Sequence, residues 1–500
     1  MPKRTAVIDI GSNSARLVIY QRSSRYGFHL LTLQKSRVRI GEGAYENGGN
    51  LQKEGMQRAF GALLSFSHTI REYKVHKLFC IATSALRDAP NGHLFKAMVK
   101  RELGIEIKII DGLKEAEYGA IAAANLLPFD SGITIDIGGG STDMALVKKG
   151  EIVERYSLDL GTVRLKELFT DKGRALGEAV DFISTALREL PESFKAETAI
   201  SIGGTTRALS RAIIAERNYP LDKLHAFSYS FRDYAPFMKR LTEASVKELD
   251  SFNIKKSRFD TIREGTLIFM ELLGHIGAKR VLSSGVGVRE GVFLKDLLRN
   301  DGYRFPPGIN PSMRSILDRF DILGLPVGNR FSIARRLYDA TAQKHAFEKE
   351  YFPELKDALK LCNIGKMLTI YKEHQHAFYI AMQELNFGYS HESMMLISFL
   401  LRSKGDSLYY KPLYRRYKDI LPKKESLKWL CFIYTLTLLI HENSTDAEVS
   451  FRWDGDSLEI HSDRALYLAH EEIESMQRPE SFAISLIDGW ENRMEASESL

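Results

Sequence analysis

The sequence predicts an α/β protein made of two similar halves and continued by a mainly helical region. Three observations carry this expectation. A strand–turn–strand unit occurs twice: Ile8-Asp9-Ile10-Gly11-Ser12-Asn13-Ser14 returns as Ile135-Asp136-Ile137-Gly138-Gly139-Gly140-Ser141-Thr142. Apolar runs alternate with stretches of helical periodicity as far as Arg280–Ser283, the pattern of helices packed on mixed sheets. The segment Tyr303-Arg304-Phe305-Pro306-Pro307-Gly308-Ile309-Asn310-Pro311 then breaks the alternation, and residues 312–500 read as helices with one β-like stretch, Glu448–Ile460. At 500 residues the chain has room for roughly three or four domains. We place them at 1–127, 128–305 and 309–500.

The elements follow in order. Ala6–Ile10, Phe28–Gln34 and Arg37–Ile40 read as strands, and the glycine- and asparagine-rich stretch Tyr45–Asn50 as a loop. Leu51–Tyr73 is helical, with Met56, Phe60, Leu63 and Ile70 on one face. Lys77–Ala82 is a buried strand that enters Thr83-Ser84-Ala85-Leu86-Arg87-Asp88. Phe95–Leu103 is a helix, Ile105–Ile110 a strand, and Glu115–Leu127 a helix introduced by Asp111-Gly112. The second half restarts with strand, glycine turn and strand, a Lys149-Gly150 hairpin and another strand. Thr198–Ile202 ends in Gly203-Gly204-Thr205-Thr206-Arg207, and Arg280–Ser283 leads into Ser284-Gly285-Val286-Gly287-Val288-Arg289-Glu290-Gly291.

Hydrophobic residues at 44% and charged residues at 27% are ordinary for a globular chain. Met1-Pro2-Lys3-Arg4 runs straight into the first strand, which reads as the absence of a signal peptide. The apolar run Trp429–Ile440 is only 12 residues, too short to span a bilayer. Cys80, Cys362 and Cys431 stand apart in apolar contexts and read as buried thiols, so a reducing cytoplasm is expected. The net charge of +6 is uneven: residues 1–110 hold 18 Lys/Arg against 8 Asp/Glu, and the remainder carries −4. A basic N-terminal region suits an anionic partner. Neither a zinc finger, nor an RNP motif, nor a basic helix interleaved with aromatics is found, so specific nucleic-acid binding is not expected.

The duplicated turns suit a phosphate-rich ligand better. Glycine lets backbone approach a ligand, and successive N–H groups with Ser/Thr hydroxyls cradle phosphate oxygens. The acid before each turn, Asp9 or Asp136, can hold Mg²⁺ directly or through water.

Five blocks now carry a resemblance to a known family. They are Asp9-Ile10-Gly11-Ser12-Asn13-Ser14, Ala82-Thr83-Ser84-Ala85-Leu86-Arg87-Asp88-Ala89, Asp111-Gly112-Leu113-Lys114-Glu115-Ala116, Asp136-Ile137-Gly138-Gly139-Gly140-Ser141-Thr142 and Ser284–Gly291. In this order the chain resembles the Ppx/GppA phosphatases, exopolyphosphatases and guanosine pentaphosphate (pppGpp) phosphohydrolases. The resemblance implies a duplicated actin-like fold, akin to sugar kinases and heat-shock ATPases, with the active site between the halves. It also implies a homodimer, and polyphosphate or pppGpp as substrate. The helical region is similar to a degenerate HD domain: Cys362-Asn363-Ile364-Gly365 stands where His-Asp-Ile-Gly would, and His374, His376 and His391 remain as structural or anion-facing residues.

The same resemblance assigns roles. Glu115 is the expected general base. Glu117 is the alternative acid, but it falls about 200° round the helix, so the two cannot face one water. Asp136 is the expected Mg²⁺ (or Mn²⁺) ligand, with Asp9 and Asp143 beside it. Members of the family usually carry Glu at the position of Asp143, and the shorter arm favours contact through water. Gly11, Ser12, Asn13, Ser14, Gly138, Gly139, Gly140, Ser141 and Thr142 would hold terminal phosphates, with Gly204 and Thr205 in a further loop. Arg87 would add a planar clamp, its bland alternative being a surface pair with Asp88. Arg289-Glu290 read as a structural pair capping the last helix of the second half. Two rival functions stay open: an ATP-using kinase or chaperone-like ATPase, which needs an adenosine pocket at Ser284–Gly291, and a silent polyphosphate or alarmone sensor.

Overall fold

The computed structural model describes residues 3–488 except 45–46, 322, 326, 346, 404–409 and 444. It divides into two compact units, Met1–Ser315 and Ile316–Leu500. Residues 309–315, expected in the helical region, thus belong to the first unit.

The first unit holds two sheets whose order repeats. β1 (Arg4–Ile10), β2 (Ala15–Arg22) and β3 (Phe28–Ser36) form an antiparallel meander; β4 (Lys77–Ala82) and β5 (Ile107–Ile109) extend it in parallel, in the order β3-β2-β1-β4-β5. The second sheet begins with the meander β6 (Gly132–Ile137), β7 (Thr142–Lys148) and β8 (Glu151–Leu158) and continues in parallel through β9 (Thr198–Ile202), with β10 (Ser228–Ser230) and β11 (Arg280–Ser283) beyond. Its order is β10-β11-β9-β6-β7-β8. The duplication read in the turns therefore extends to strand topology.

Each sheet buries apolar residues against helices. Ile8, Ile10, Leu17 and Ile19 are fully buried, and α1 (Lys53–Glu72) packs Ala59, Leu63 and Phe66 into the same core. Each such side chain contributes about 1.5–3 kcal/mol of transfer free energy. Around β6 and β7 the equivalent core is Ile133, Ile135, Met144 and Leu146, covered by Leu272 and Leu273 of α9 (Ile262–Ile276). Two helices meet beneath the sheets: α4 (Gly112–Leu126) and α10 (Val288–Leu297). Gly291 makes that crossing close, because a Cβ there would overlap the Tyr118 carbonyl.

Three expectations need correction. Arg37–Ile40 is not a strand. Arg39 adopts a φ of +44° and donates its N–H to the Asn13 carbonyl (3.1 Å), so the segment leaves the sheet and lies over the first turn. α4 begins at Gly112, three residues before Glu115, because Asp111 caps it by accepting the Lys114 N–H (2.7 Å). Cys80 and Cys431 are buried, but Cys362, at the C-terminal end of a helix, is only partly so. Of the expected loop over 45–50, residues 45 and 46 lie outside the described residues.

The second unit is mainly helical, with Trp429–Ile440 buried inside a helix spanning Lys424–Asn443. The β-like stretch is a hairpin, Val449–Asp454 with Ser457–Ser462, and Ala483–Ile487 adds an unexpected third strand in parallel. Among the described residues no helix is long and apolar enough to cross a membrane.

Candidate active site

The two duplicated turns face one cleft of about 1000 Å³ in the first unit. Each is closed by the same backbone bond: Gly11 N–H to Ser14 O (3.1 Å) and Gly138 N–H to Ser141 O (2.8 Å). Gly11–Ser14 and Gly138–Ser141 line the cleft, as do Gly204, Thr205, Arg87, Asp9, Asp136, Asp143 and Glu115. Thr142 does not. Side chains alternate along a strand, and Thr142 points the opposite way from Asp143, fully buried, with its hydroxyl on the Leu160 carbonyl (2.5 Å). It is removed from the phosphate-binding set.

The two hairpins are alike in backbone and opposite in charge. Across β1–β2, Asp9 pairs in register with Arg16; across β6–β7, Asp136 pairs with Asp143. Burial raises the pKa of Asp9, opposed by Arg289 and Arg16. Burial also raises Asp136, opposed by Arg207 and reinforced by Asp9. Asp143 is pushed up to about 7, first by burial and then by Asp136, although two hydroxyls hold it back. Ser157 Oγ donates to Asp143 Oδ1 (2.5 Å) and Ser141 Oγ to Oδ2 (3.1 Å).

Glu115 stands on the first turn of α4, where that helix presses against this acid-rich hairpin. A Cβ at Gly112 would meet Ser157 and Asp143, so glycine is what lets the helix come so near. The Glu115 pKa is raised well above the usual range by burial, then by Asp143, Asp136 and Asp9, with Arg87 opposing. Arg87 Nη1 lies 3.4 Å from Glu115 Oε1 and Nε 3.0 Å from Asp88. Glu117 points elsewhere, held by Lys114 (2.7 Å), Arg155 (2.7 Å) and Lys295.

Gly203 and Gly204 have steric roles. Gly203 has a φ of +90°, and a Cβ there would overlap the Asp136 carboxylate; one at Gly204 would overlap the Arg258 guanidinium. A residue-by-residue reading of the sequence missed several cations of the cleft, among them Arg16, Lys35, Arg37, Arg39, Arg164 and Arg258, and gave Arg289 only a structural role. One signal was available for Arg16, which occupies the place in the first hairpin that Asp143 occupies in the second. Lys35 feels Arg16, Arg258, Arg37 and Lys255 at once, which together with burial lowers its pKa. Such a concentration of positive charge is built for a polyanion.

A hard divalent cation suits the carboxylate oxygens at Asp136 and Asp143. Among the described residues no three His, Cys, Asp or Glu side chains form a metal cage by themselves. The donor set therefore fits an ion shared with substrate phosphates, the usual habit of Mg²⁺.

Two α/β halves with paired phosphate-cradling turns facing a carboxylate-lined cleft define the actin-like class of phosphate-binding proteins. Within it, the chain belongs to the Ppx/GppA phosphatase family, whose sequence model matches residues 18–300. It is 24% identical over 404 residues to a guanosine-5'-triphosphate,3'-diphosphate pyrophosphatase of Pseudoalteromonas translucida, covering 78% of each chain. It is 29% identical over 291 residues to exopolyphosphatase 2 of Mycobacterium tuberculosis, 54% of this chain and 89% of that one. A bifunctional 3-dehydroquinate synthase/phosphatase of Fusobacterium nucleatum is 29% identical over 302 residues, and the match spans only 44% of that protein's length. Among solved structures, the Ppx/GppA family member of Aquifex aeolicus superimposes with a TM-score of 0.52 at 27% identity, covering 60% of this chain and 99% of that one. An exopolyphosphatase of Cytophaga hutchinsonii shares the fold, with a TM-score of 0.54 at 24% identity.

Proposed function

We propose that this protein hydrolyses the terminal phosphoanhydride of inorganic polyphosphate, of pppGpp, or of both. The observation that carries the reading is Glu115: a half-buried carboxylate beside Arg87 that feels the charges of Asp143 and Asp136, in the cleft lined by both glycine turns. Phosphoryl transfer asks the protein mainly for positioning, charge neutralisation and an oriented water. Glu115 takes the proton of the attacking water, and its raised pKa makes it a stronger base than a surface glutamate. The N–H groups of Gly11–Ser14 and Gly138–Ser141 orient the terminal phosphate. Asp136 and Asp143 would hold Mg²⁺ together with substrate oxygens, and that ion would neutralise phosphate charge. Asp9 lies beside them, its carboxylate pKa raised by burial and only partly offset by Arg289 and Arg16, so the second hairpin is proposed as the main metal site.

The rival ATPase reading is disfavoured by the Ser284–Gly291 segment. Arg207 donates to the Ser284 and Val286 carbonyls (2.7 and 2.8 Å). His225 accepts the Gly285 N–H (3.1 Å) and contacts the Leu126 carbonyl (2.9 Å). The backbone of this segment is thus engaged by the protein's own side chains, which supports the hydrolase reading over an ATP pocket here. For the helical region we infer a non-catalytic, HD-derived unit. Cys362 receives the Arg330 N–H (3.3 Å) where an HD domain would ligate metal. Phosphate release from polyphosphate, pppGpp and ATP, each with Mg²⁺ and with chelator, tests the proposal. Release from ATP alone would refute it.

A further inference from the structure

Arg289 and Glu290 are adjacent in sequence and each other's strongest opposite charge, but no hydrogen bond joins them. Glu290 caps α10 through the Gly287 N–H (2.7 Å at Oε2), and its Oε1 accepts the Tyr20 hydroxyl (2.7 Å). Arg289 is only 6% exposed, yet among the described residues none of its N–H groups makes a hydrogen bond or ion pair, and Nη1 is wholly enclosed without a partner. A buried guanidinium with empty donors costs stability unless something is meant to fill them.

Its position says what would. Arg289 lines the cleft, and its charge acts first on Glu290 and then on Asp9 and Asp136, the acids near the ends of β1 and β6. Arg87 faces Glu115 instead. Both guanidiniums line the cleft, and of the two only Arg87 contacts Glu115. Arg207, a half-buried arginine of the same cleft, is committed to the Ser284 and Val286 carbonyls.

We propose that Arg289 is a catalytic residue that donates hydrogen bonds to the departing phosphate on the side away from Glu115. The inference rests on the phosphohydrolase reading. In the step, a water oxygen bonds to the terminal phosphorus and its proton goes to Glu115. The bond from that phosphorus to the bridging oxygen breaks, and the electron pair stays on the bridging oxygen. The products are orthophosphate and a chain shorter by one phosphate. Charge grows on the bridging oxygen as the bond breaks, and the cleft-lining edge of the Arg289 guanidinium, not the enclosed Nη1, meets it there. A fork of donors aimed at developing charge acts on the transition state more than on the bound substrate.

Steady-state phosphate release from inorganic tripolyphosphate by full-length R289Q and R289K, with wild type in parallel, tests this, alongside calorimetric binding of tripolyphosphate in chelator. R289Q should lose about 10²–10³ in kcat, with KM and binding moving far less. R289K keeps the charge but not the fork and should fall between. Guanidinium added to R289A should restore part of the rate, which a purely structural residue would not allow. A wild-type kcat in R289Q, or a loss confined to KM, would overturn the assignment. If R289Q does not fold, R289K decides: a wild-type kcat overturns the assignment, and a lowered kcat at unchanged KM supports it. A wild type that releases no phosphate refutes the hydrolase reading itself, a result separate from either outcome for Arg289.

Discussion

Arg87 bridges two carboxylates of unlike purpose, with Nε 3.0 Å from Asp88 and Nη1 3.4 Å from Glu115. Asp88 is largely exposed and fixes the guanidinium from the solvent side; Glu115 is 16% exposed and belongs to the cleft. Arg87 is thus both the surface partner and the cleft residue that its sequence context allowed. Its charge opposes the burial and the three acids that raise Glu115. Arg87→Ala should let the Glu115 pKa climb further. Since the base must be ionised to work, the acid limb of the kcat/KM–pH profile should move to higher pH. An unmoved limb would separate Arg87 from the base.

Glu115→Gln keeps the size of the side chain and removes the proton acceptor. Turnover should fall by about 10²–10⁴ while substrate binding is retained. Measured kcat and tripolyphosphate affinity check this, and near-wild-type turnover would move the role to another acid.

Asp136→Asn removes one charge from the proposed metal site. The Mg²⁺ concentration for half-maximal activity should rise by about tenfold or more. Full activity of the wild type in excess chelator would contradict the metal role altogether.

Asp143 also sets a pH dependence of stability. Its folded pKa of about 7 lies above its ordinary unfolded value. The folded state therefore holds a proton that the unfolded chain has released, and stability contributed by this group falls as pH rises towards 7, then levels. Asp143→Asn should remove that loss. In chelator, its melting temperature should exceed that of wild type at pH 8 by more than at pH 5, as calorimetry can show.

Tyr20→Phe tests the link between the first sheet and α10. The ring stack on Phe293 (4.4 Å) survives, but Glu290 loses a buried donor. A loss of about 1–3 kcal/mol in urea unfolding is expected.

The helical unit gives a last expectation. Residues 316–500 alone should show no metal-dependent phosphatase activity, because Cys362 and Asn363 cannot replace a His-Asp pair. A fragment ending at Ser315, a boundary inferred from compactness, should favour short over long polyphosphate as contacts along the chain are lost. Unchanged affinity for long chains would give polymer binding to the first unit alone.

Local signals were enough for the α/β class, for the repeated strand–turn–strand and for the break before the helices. Apolar periodicity and glycine placement act within a few residues, so they are visible in a linear reading. Asp9 and Asp136 could be named for the same reason, since each precedes a recognisable turn, whereas the role of Glu115 came only from the family resemblance. What the linear reading could not reach was partnership. Thr142 was placed with the phosphate ligands because it follows Ser141, and the pleat turned it away. Arg289 and Glu290 read as a pair capping the last helix; Glu290 does cap it and does balance the Arg289 charge, but its other oxygen goes to Tyr20 across 270 residues, which no linear reading could show. Register across β1–β2 and β6–β7 decided that one hairpin joins acid to base and the other acid to acid. Hydrogen bonds and charges act through space over a few ångströms, so which groups neutralise each other and which remain free for a ligand is settled only when the sheets and the crossing of α4 with α10 bring distant residues together.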